Sequence, residues 1–293
     1  MQDLHRVLGA LLKTAERATR LLASGSGAAR GKTPAWLRES TDFVVTGLSR
    51  GSTVIEIDAP RLDAVAEDAF AQTDFWIAAP EPGDSALDLA AEAILEAENA
   101  ESTGERFDAS VLESILEFKK AVRGSGATFE LKRPGKHRQS VALSAEAYKV
   151  IDTRKAELPS PQAFVISGKL DEIRHSGGRF QLVLKDGQTL PGRVHAEYLE
   201  EELLRPLWGH AVTVEGMVYF KANGKPRAID ARRIGAFEEG DQAFESLPQV
   251  ASGSQEALFP ELVVAARKAD PMKLWGTWPG DEPIEELLEE LNA

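Results

Sequence analysis

Apolar positions along this chain recur in two periods, and the dominant period changes near residue 160. Over the first 22 residues Leu4, Val7, Leu8, Leu11 and Leu12 stand at helical spacing, which predicts one amphipathic helix with those side chains on a single face. The stretch "ASGSGAARGKTP", residues 23–34, breaks the pattern and reads as a Gly/Ser/Ala-rich loop. Two β-branched runs around Ser49-Arg50-Gly51 then predict a β-hairpin. Two further helices follow at 85–100 and 108–122, with Leu87, Ala90, Ala91 and Ile94 buried in one and Val111, Ile115 and Phe118 in the other. Ser85 and Asp108 stand where N-caps belong. A second hairpin turns at Pro134-Gly135, and a short helix runs from Ser144 to about Arg154. This order predicts an α+β domain over residues 1–158, with the four strands in one mainly antiparallel sheet.

Past the Pro-containing segment "AELPSPQ", residues 156–162, strand periodicity takes over. Strands are expected at 163–173, 178–187, 188–194, 210–220 and 225–234, with a helix over 196–207 between the third and the fourth. Five strands with a helix in that place resemble an OB-fold, a small β-barrel, here over residues 161–236. Gly168 falls inside the long first strand, where such a strand bends to join both halves of a barrel. Phe180, Leu182 and Leu184 are expected to face inward, as are Val212, Val214, Val218 and Phe220. Arg179, Gln181, Lys185, Thr213, Glu215, Met217 and Tyr219 then face outward.

Composition narrows the function classes. The 293 residues are 43% hydrophobic and 28% charged, as in ordinary soluble proteins, and no apolar run approaches the length of a membrane span, so a cytoplasmic protein is the expectation. There is no cysteine, which excludes disulfides, thiolate chemistry and cysteine-ligated zinc. His5, His137, His175, His195 and His210 show no metal-ligand spacing. No Gly-x-Ser-x-Gly, His-Glu-x-x-His or Walker-type loop is present. Gly31-Lys32-Thr33 stands behind glycines, but a helix precedes it and Pro34 follows, whereas a phosphate loop needs a buried strand before it. The expectation is a protein that is not an enzyme and uses no cofactor or metal.

Charge is unevenly placed. The whole chain carries -13, and residues 236–293 hold 13 Asp and Glu against 3 Lys and Arg. Residues 160–235 hold 11 Lys and Arg against 9 Asp and Glu. A cationic turn, "KRPGKHR", brings Lys132, Arg133, Lys136 and Arg138 together. With Arg179, Tyr219, Lys221 and Arg227 of the barrel these residues are the candidates for nucleic-acid binding, since Lys and Arg neutralise phosphates and an aromatic ring stacks on a base.

The acidic tail, residues 237–293, ends on "KLWGTWPGDEPIEELLEELNA". Ile284, Leu287, Leu288 and Leu291 form one apolar stripe, Asp281 and Pro283 define the start of a helix, and every charge beyond Lys273 is acidic. A helix of about ten residues with like charges one turn apart does not stand alone, so it needs a surface to lie on. Trp275 and Trp278 precede it, and tryptophan is a common interface anchor.

This segment resembles the C-terminal segments of antitoxins that neutralise PIN-domain ribonuclease toxins, in which an aromatic-containing stretch and a terminal acidic helix wrap the toxin. The resemblance covers about the last 35 residues; the domains in front are unlike the small DNA-binding module usual in that group. It implies partner contacts at Leu262, Val263, Leu274, Trp275, Trp278, Ile284, Leu287, Leu288 and Leu291, with Arg267 or Lys273 reaching the acidic metal site of the toxin. Two readings stand side by side: an antitoxin-like inhibitor of a nuclease, and an OB-fold nucleic-acid-binding adaptor whose acidic tail recruits a protein.

Overall fold

The computed structural model describes residues 2–28, 32–49, 54–70, 80–122, 128–133, 139–174, 178–194 and 204–246. The chain divides into two units, 1–252 and 253–293, and the second lies outside the described residues together with every tail residue named above.

The first unit begins with α1 (Gln2–Ser24), α2 (Ala35–Ser40), β1 (Val44–Ser49), β2 (Val54–Asp58), α3 (Leu62–Val65) and α4 (Glu67–Phe70). Then come α5 (Ala86–Glu98), α6 (Ala109–Ala121), β3 (Phe129–Leu131), β4 (Val141–Leu143) and α7 (Ala145–Glu157). Helix α1 packs on α5 and α6, and α7 packs on the same pair. The two expected caps, Ser85 and Asp108, are in place, and Ser144 adds a third. Ser85 and Asp88 form a reciprocal capping box on α5, Asp108 accepts from the Val111 amide at 2.9 Å, and Ser144 accepts from the Ala147 amide at 3.1 Å.

Helix α5 is buried nearly all round, with Ala86, Ala90, Ala91, Ala93 and Ala97 among its covered residues, and such small side chains let neighbouring helices approach closely. The buried face of α1 differs from the leucine stripe. Leu11 is buried, but Leu12 is 43% exposed, and the face continues through Ala10, Thr14, Ala15, Ala18, Leu21 and Leu22. Buried Thr14 is tolerated because its hydroxyl donates to the Ala10 carbonyl at 2.8 Å.

Both hairpins form, but not as one four-stranded sheet. Among the described residues β1 pairs only with β2 and β3 only with β4. Each hairpin lies on helices instead. Phe129 of β3 packs on Phe118 of α6 with ring centroids 4.3 Å apart, and Ile57 of β2 packs against the helical core.

A closed barrel follows, built from β5 (Gln162–Arg174), β6 (Arg179–Val183), β7 (Thr189–Val194), β8 (Ala211–Phe220) and β9 (Pro226–Ala236) in the order β5-β6-β7-β9-β8. A barrel of five strands is what an OB-like fold requires. Strand β5 pairs with β8 through its first half and with β6 through its second. Gly168 sits at the change of partner, and a Cβ there would come 2.9 Å from the Val183 carbonyl oxygen, so the position must be glycine. The alternation is as expected: Phe180, Leu182, Leu184, Val212, Val214, Val218 and Phe220 fill the interior. The predicted helix over 196–207 falls mostly on residues outside those described. Its end places buried Leu204 against the barrel core, followed by a 3-10 turn at Arg205–Leu207.

The loop after α5 is organised by one carboxylate. Glu96 accepts from the amides of Gly104 at 3.1 Å, Glu105 at 2.8 Å and Arg106 at 2.7 Å, and from the Ser102 hydroxyl. Gly104 adopts φ +81°, and a Cβ there would meet Ala222 of the barrel. Glu96→Ala should lower the unfolding free energy by about 2 kcal/mol, because several amides lose their acceptor at once; an unchanged denaturant midpoint would show that the loop is held by something else.

Glu98 tests burial alone. Desolvation raises its carboxyl above the ordinary 4.5, and its Oε1 has no hydrogen-bond partner among the described residues. The native state therefore keeps a proton that the unfolded chain releases, and this contribution is full below the unfolded value and lost as pH rises through the raised one. Glu98→Gln should become progressively more stable relative to the parent as pH rises over that range and then level off. A stability difference independent of pH contradicts it.

Candidate functional site

Three of the cations assigned above to nucleic acid are turned into the protein. Arg227 of β9 is buried, and its guanidinium donates to the carbonyl oxygens of Glu105 at 2.6 Å, Phe107 at 2.9 Å and Gly104. Burial lowers its pKa, while Asp108, Glu105 and Glu96 oppose that effect. Lys221 is also buried and donates to Glu105 Oε1 at 2.7 Å. The side chain of Arg133 is 8% exposed, 3.6 Å from Glu92, and its Nε donates to the Gln139 carbonyl at 3.2 Å. These groups hold the loop after α5, the barrel and the second hairpin in place, so none is presented to a phosphate in solution. Lys132 is exposed and 3.6 Å from Glu130. Lys136 and Arg138 lie outside the described residues.

The outward barrel residues make a different constellation. Arg179 of β6 stands directly opposite Arg193 of β7, Arg193 beside Asp230 of β9, and Asp230 opposite Met217 of β8. Tyr219 donates its hydroxyl to Asp230 Oδ2 at 3.1 Å, which fixes the phenol against the strand. Facing this wall are the end of α1 and the Gly/Ser-rich loop. The loop is pinned by the cap of α6: Asp108 Oδ2 accepts from the Gly27 amide at 2.7 Å while its Oδ1 caps the helix.

Between wall and loop lies a cavity of 90 Å³ whose lining includes Arg20, Ser26, Lys32, Arg193, Tyr219 and Asp230. Arg20 is held by Glu16 at 2.9 Å. The side chains of Lys32 and Arg193 make no hydrogen bond or ion pair with any described residue. Arrangements of this kind hold anions: Arg supplies a planar fork and Lys a point charge. Among the described residues no group of three or more His, Asp or Glu side chains is arranged to hold a metal.

Sequence reasoning reached Arg179 and Tyr219 but not Lys32, Arg20 or Arg193 as parts of one site. The pairing of Arg179 with Arg193 was readable, because a turn at Asp186-Gly187 sets that register. Nothing local announces that Lys32 meets them. Trp208 was also missed: it is 65% exposed, and its Nε1 donates to the Asp171 carbonyl at 2.8 Å, so the ring is held out in a fixed orientation.

No helix among the described residues is long and apolar enough to cross a membrane. Comparison with models of protein families and with curated proteins returns no match.

The internal role of Lys221 is open to direct measurement. Lys221→Met should cost about 2 kcal/mol, the scale for a hydrogen bond to a charged group, and should leave Glu105 without its cation. Were stability unchanged, the Lys221–Glu105 contact would have no structural weight.

Proposed function

We propose that this chain is a binding protein that captures and neutralises a protein partner through its C-terminal segment, in the manner of the antitoxins that segment resembles, with a PIN-type ribonuclease as the partner. The observation that carries the reading is the apolar stripe Ile284, Leu287, Leu288 and Leu291 among acids alone, preceded by Trp275 and Trp278. Such a stripe favours burial, and its flanks favour a cationic surface. The organisation that goes with it is an α+β domain at 1–158, an OB-like barrel at 161–236 and a helical acidic tail at 237–293, without a catalytic centre or cofactor of its own.

Two facts support giving the tail this role before the barrel. The residues of 236–293 carry most of the net negative charge, and three of the eight candidate nucleic-acid residues, Arg133, Lys221 and Arg227, are held inside the body. The rival, a nucleic-acid adaptor, is favoured by the Arg179–Arg193 pair on the barrel wall.

Trp275→Ala combined with Trp278→Ala should abolish co-purification with the partner while leaving the melting temperature of the partner-free protein within about 1 °C, because an interface anchor acts only in the complex. Leu287→Asp should do the same, since a carboxylate in the stripe resists desolvation. If the tryptophans instead pack on their own chain, the double variant loses the roughly 3–5 kcal/mol typical of truncating a buried Trp. That loss, with partner binding intact, would refute the assignment.

A further inference from the structure

The cavity between α1 and the barrel carries an inference independent of the partner-capture reading. We infer that it is a binding site for one phosphate group, of the kind borne by a nucleic-acid strand.

Like charges directly opposite each other on adjacent strands disfavour the sheet, yet Arg179 and Arg193 occupy such a pair on β6 and β7. Asp230, next in register, answers part of that charge and is itself held by the Tyr219 hydroxyl. From the facing side come Lys32 and Arg20, the latter paired with Glu16. The lining thus sets three cations against one carboxylate, and the side-chain charges of two of the three, Lys32 and Arg193, have no partner among the described residues. Ser26 adds a hydroxyl whose oxygen accepts from the Ala28 amide at 3.3 Å and whose proton remains available to donate.

Size and rigidity agree with that chemistry. At 90 Å³ the cavity admits several water-sized groups, each needing about 10–15 Å³, which suits the oxygens of one phosphate but leaves no room for a base between its walls. The barrel wall is fixed before any ligand arrives by its ladders, and the loop is tied at Gly27, whose amide donates to Asp108. A preformed site loses little on binding. A strand held here would run with its phosphate in the cavity and its bases outside, so contact would be with the backbone and insensitive to sequence.

The test uses the full chain at low salt, titrated calorimetrically with inorganic phosphate and with a single-stranded oligothymidine of about ten nucleotides. Arg193→Gln and Lys32→Gln should each weaken phosphate binding by about tenfold or more. Lys225→Gln, which removes the same charge from an exposed turn elsewhere on the barrel, should leave it within about twofold. Melting temperatures establish that each variant is folded; should Arg193→Gln fail, the loop variant Lys32→Gln carries the comparison alone. Oligonucleotide bound more tightly than phosphate, with a salt dependence that falls by about one counterion in Arg193→Gln, assigns the group to a nucleic-acid strand. Oligonucleotide bound no more tightly than phosphate keeps the site and assigns it to a free phosphate or small phosphate ester. No phosphate binding by the parent protein, or an equal loss in all three variants, overturns the proposal.

Discussion

A buried guanidinium joins the two halves of the first unit. Arg227 leaves the barrel on β9 and donates to three carbonyl oxygens of the loop between α5 and α6, while Glu96 holds the amides of the same loop from behind. Neither half would keep this arrangement alone. The loop without the barrel exposes three carbonyls, and the barrel without the loop leaves the Arg227 guanidinium without its acceptors. Its Nε has no partner among the described residues even so, so the contact is specific rather than optimal.

The rest of the geometry follows from that strand. Asp230 lies three residues beyond Arg227 on β9, and Arg193 is its register partner on β7, so the strand that carries the clamp also carries the cavity wall. Asp108, which caps α6 and fixes the Gly/Ser-rich loop, lies next to Phe107, whose carbonyl Arg227 holds. One short segment, residues 102–108, therefore meets the barrel through Arg227 on one side and holds Gly27 of the Gly/Ser-rich loop on the other.

Local order was legible in the sequence wherever a local rule governs it. Ser85 and Asp108 cap because their oxygens satisfy amides three residues away. The barrel interior followed from strict alternation, and Gly168 from the bend a long strand needs. What could not be read depends on distant partners. Lys221 and Arg227 look like surface cations in the sequence, and only acceptors more than a hundred positions earlier, the Glu105 carboxylate for one and the carbonyls of Gly104, Glu105 and Phe107 for the other, turn them inward. Leu12 looks like a core residue until packing on α5 and α6 sets the rotation of α1 so that Thr14 and Ala15 face inward instead. The same holds for the hairpins, each of which finds helices to cover before it finds the other.

The most direct test of this account is hydrogen exchange on the full-length Arg227→Met variant, followed separately in α5–α6 and in β8–β9. Methionine keeps much of the volume and removes every donor. The account predicts that the parent protein protects both segments with one shared opening free energy, and that the variant uncouples them, with the amides of Gly104, Glu105 and Arg106 and the β8–β9 ladder exchanging well before the helices. If both segments of the variant still open together and at the parental rate, the guanidinium clamp does not hold the two halves as one unit.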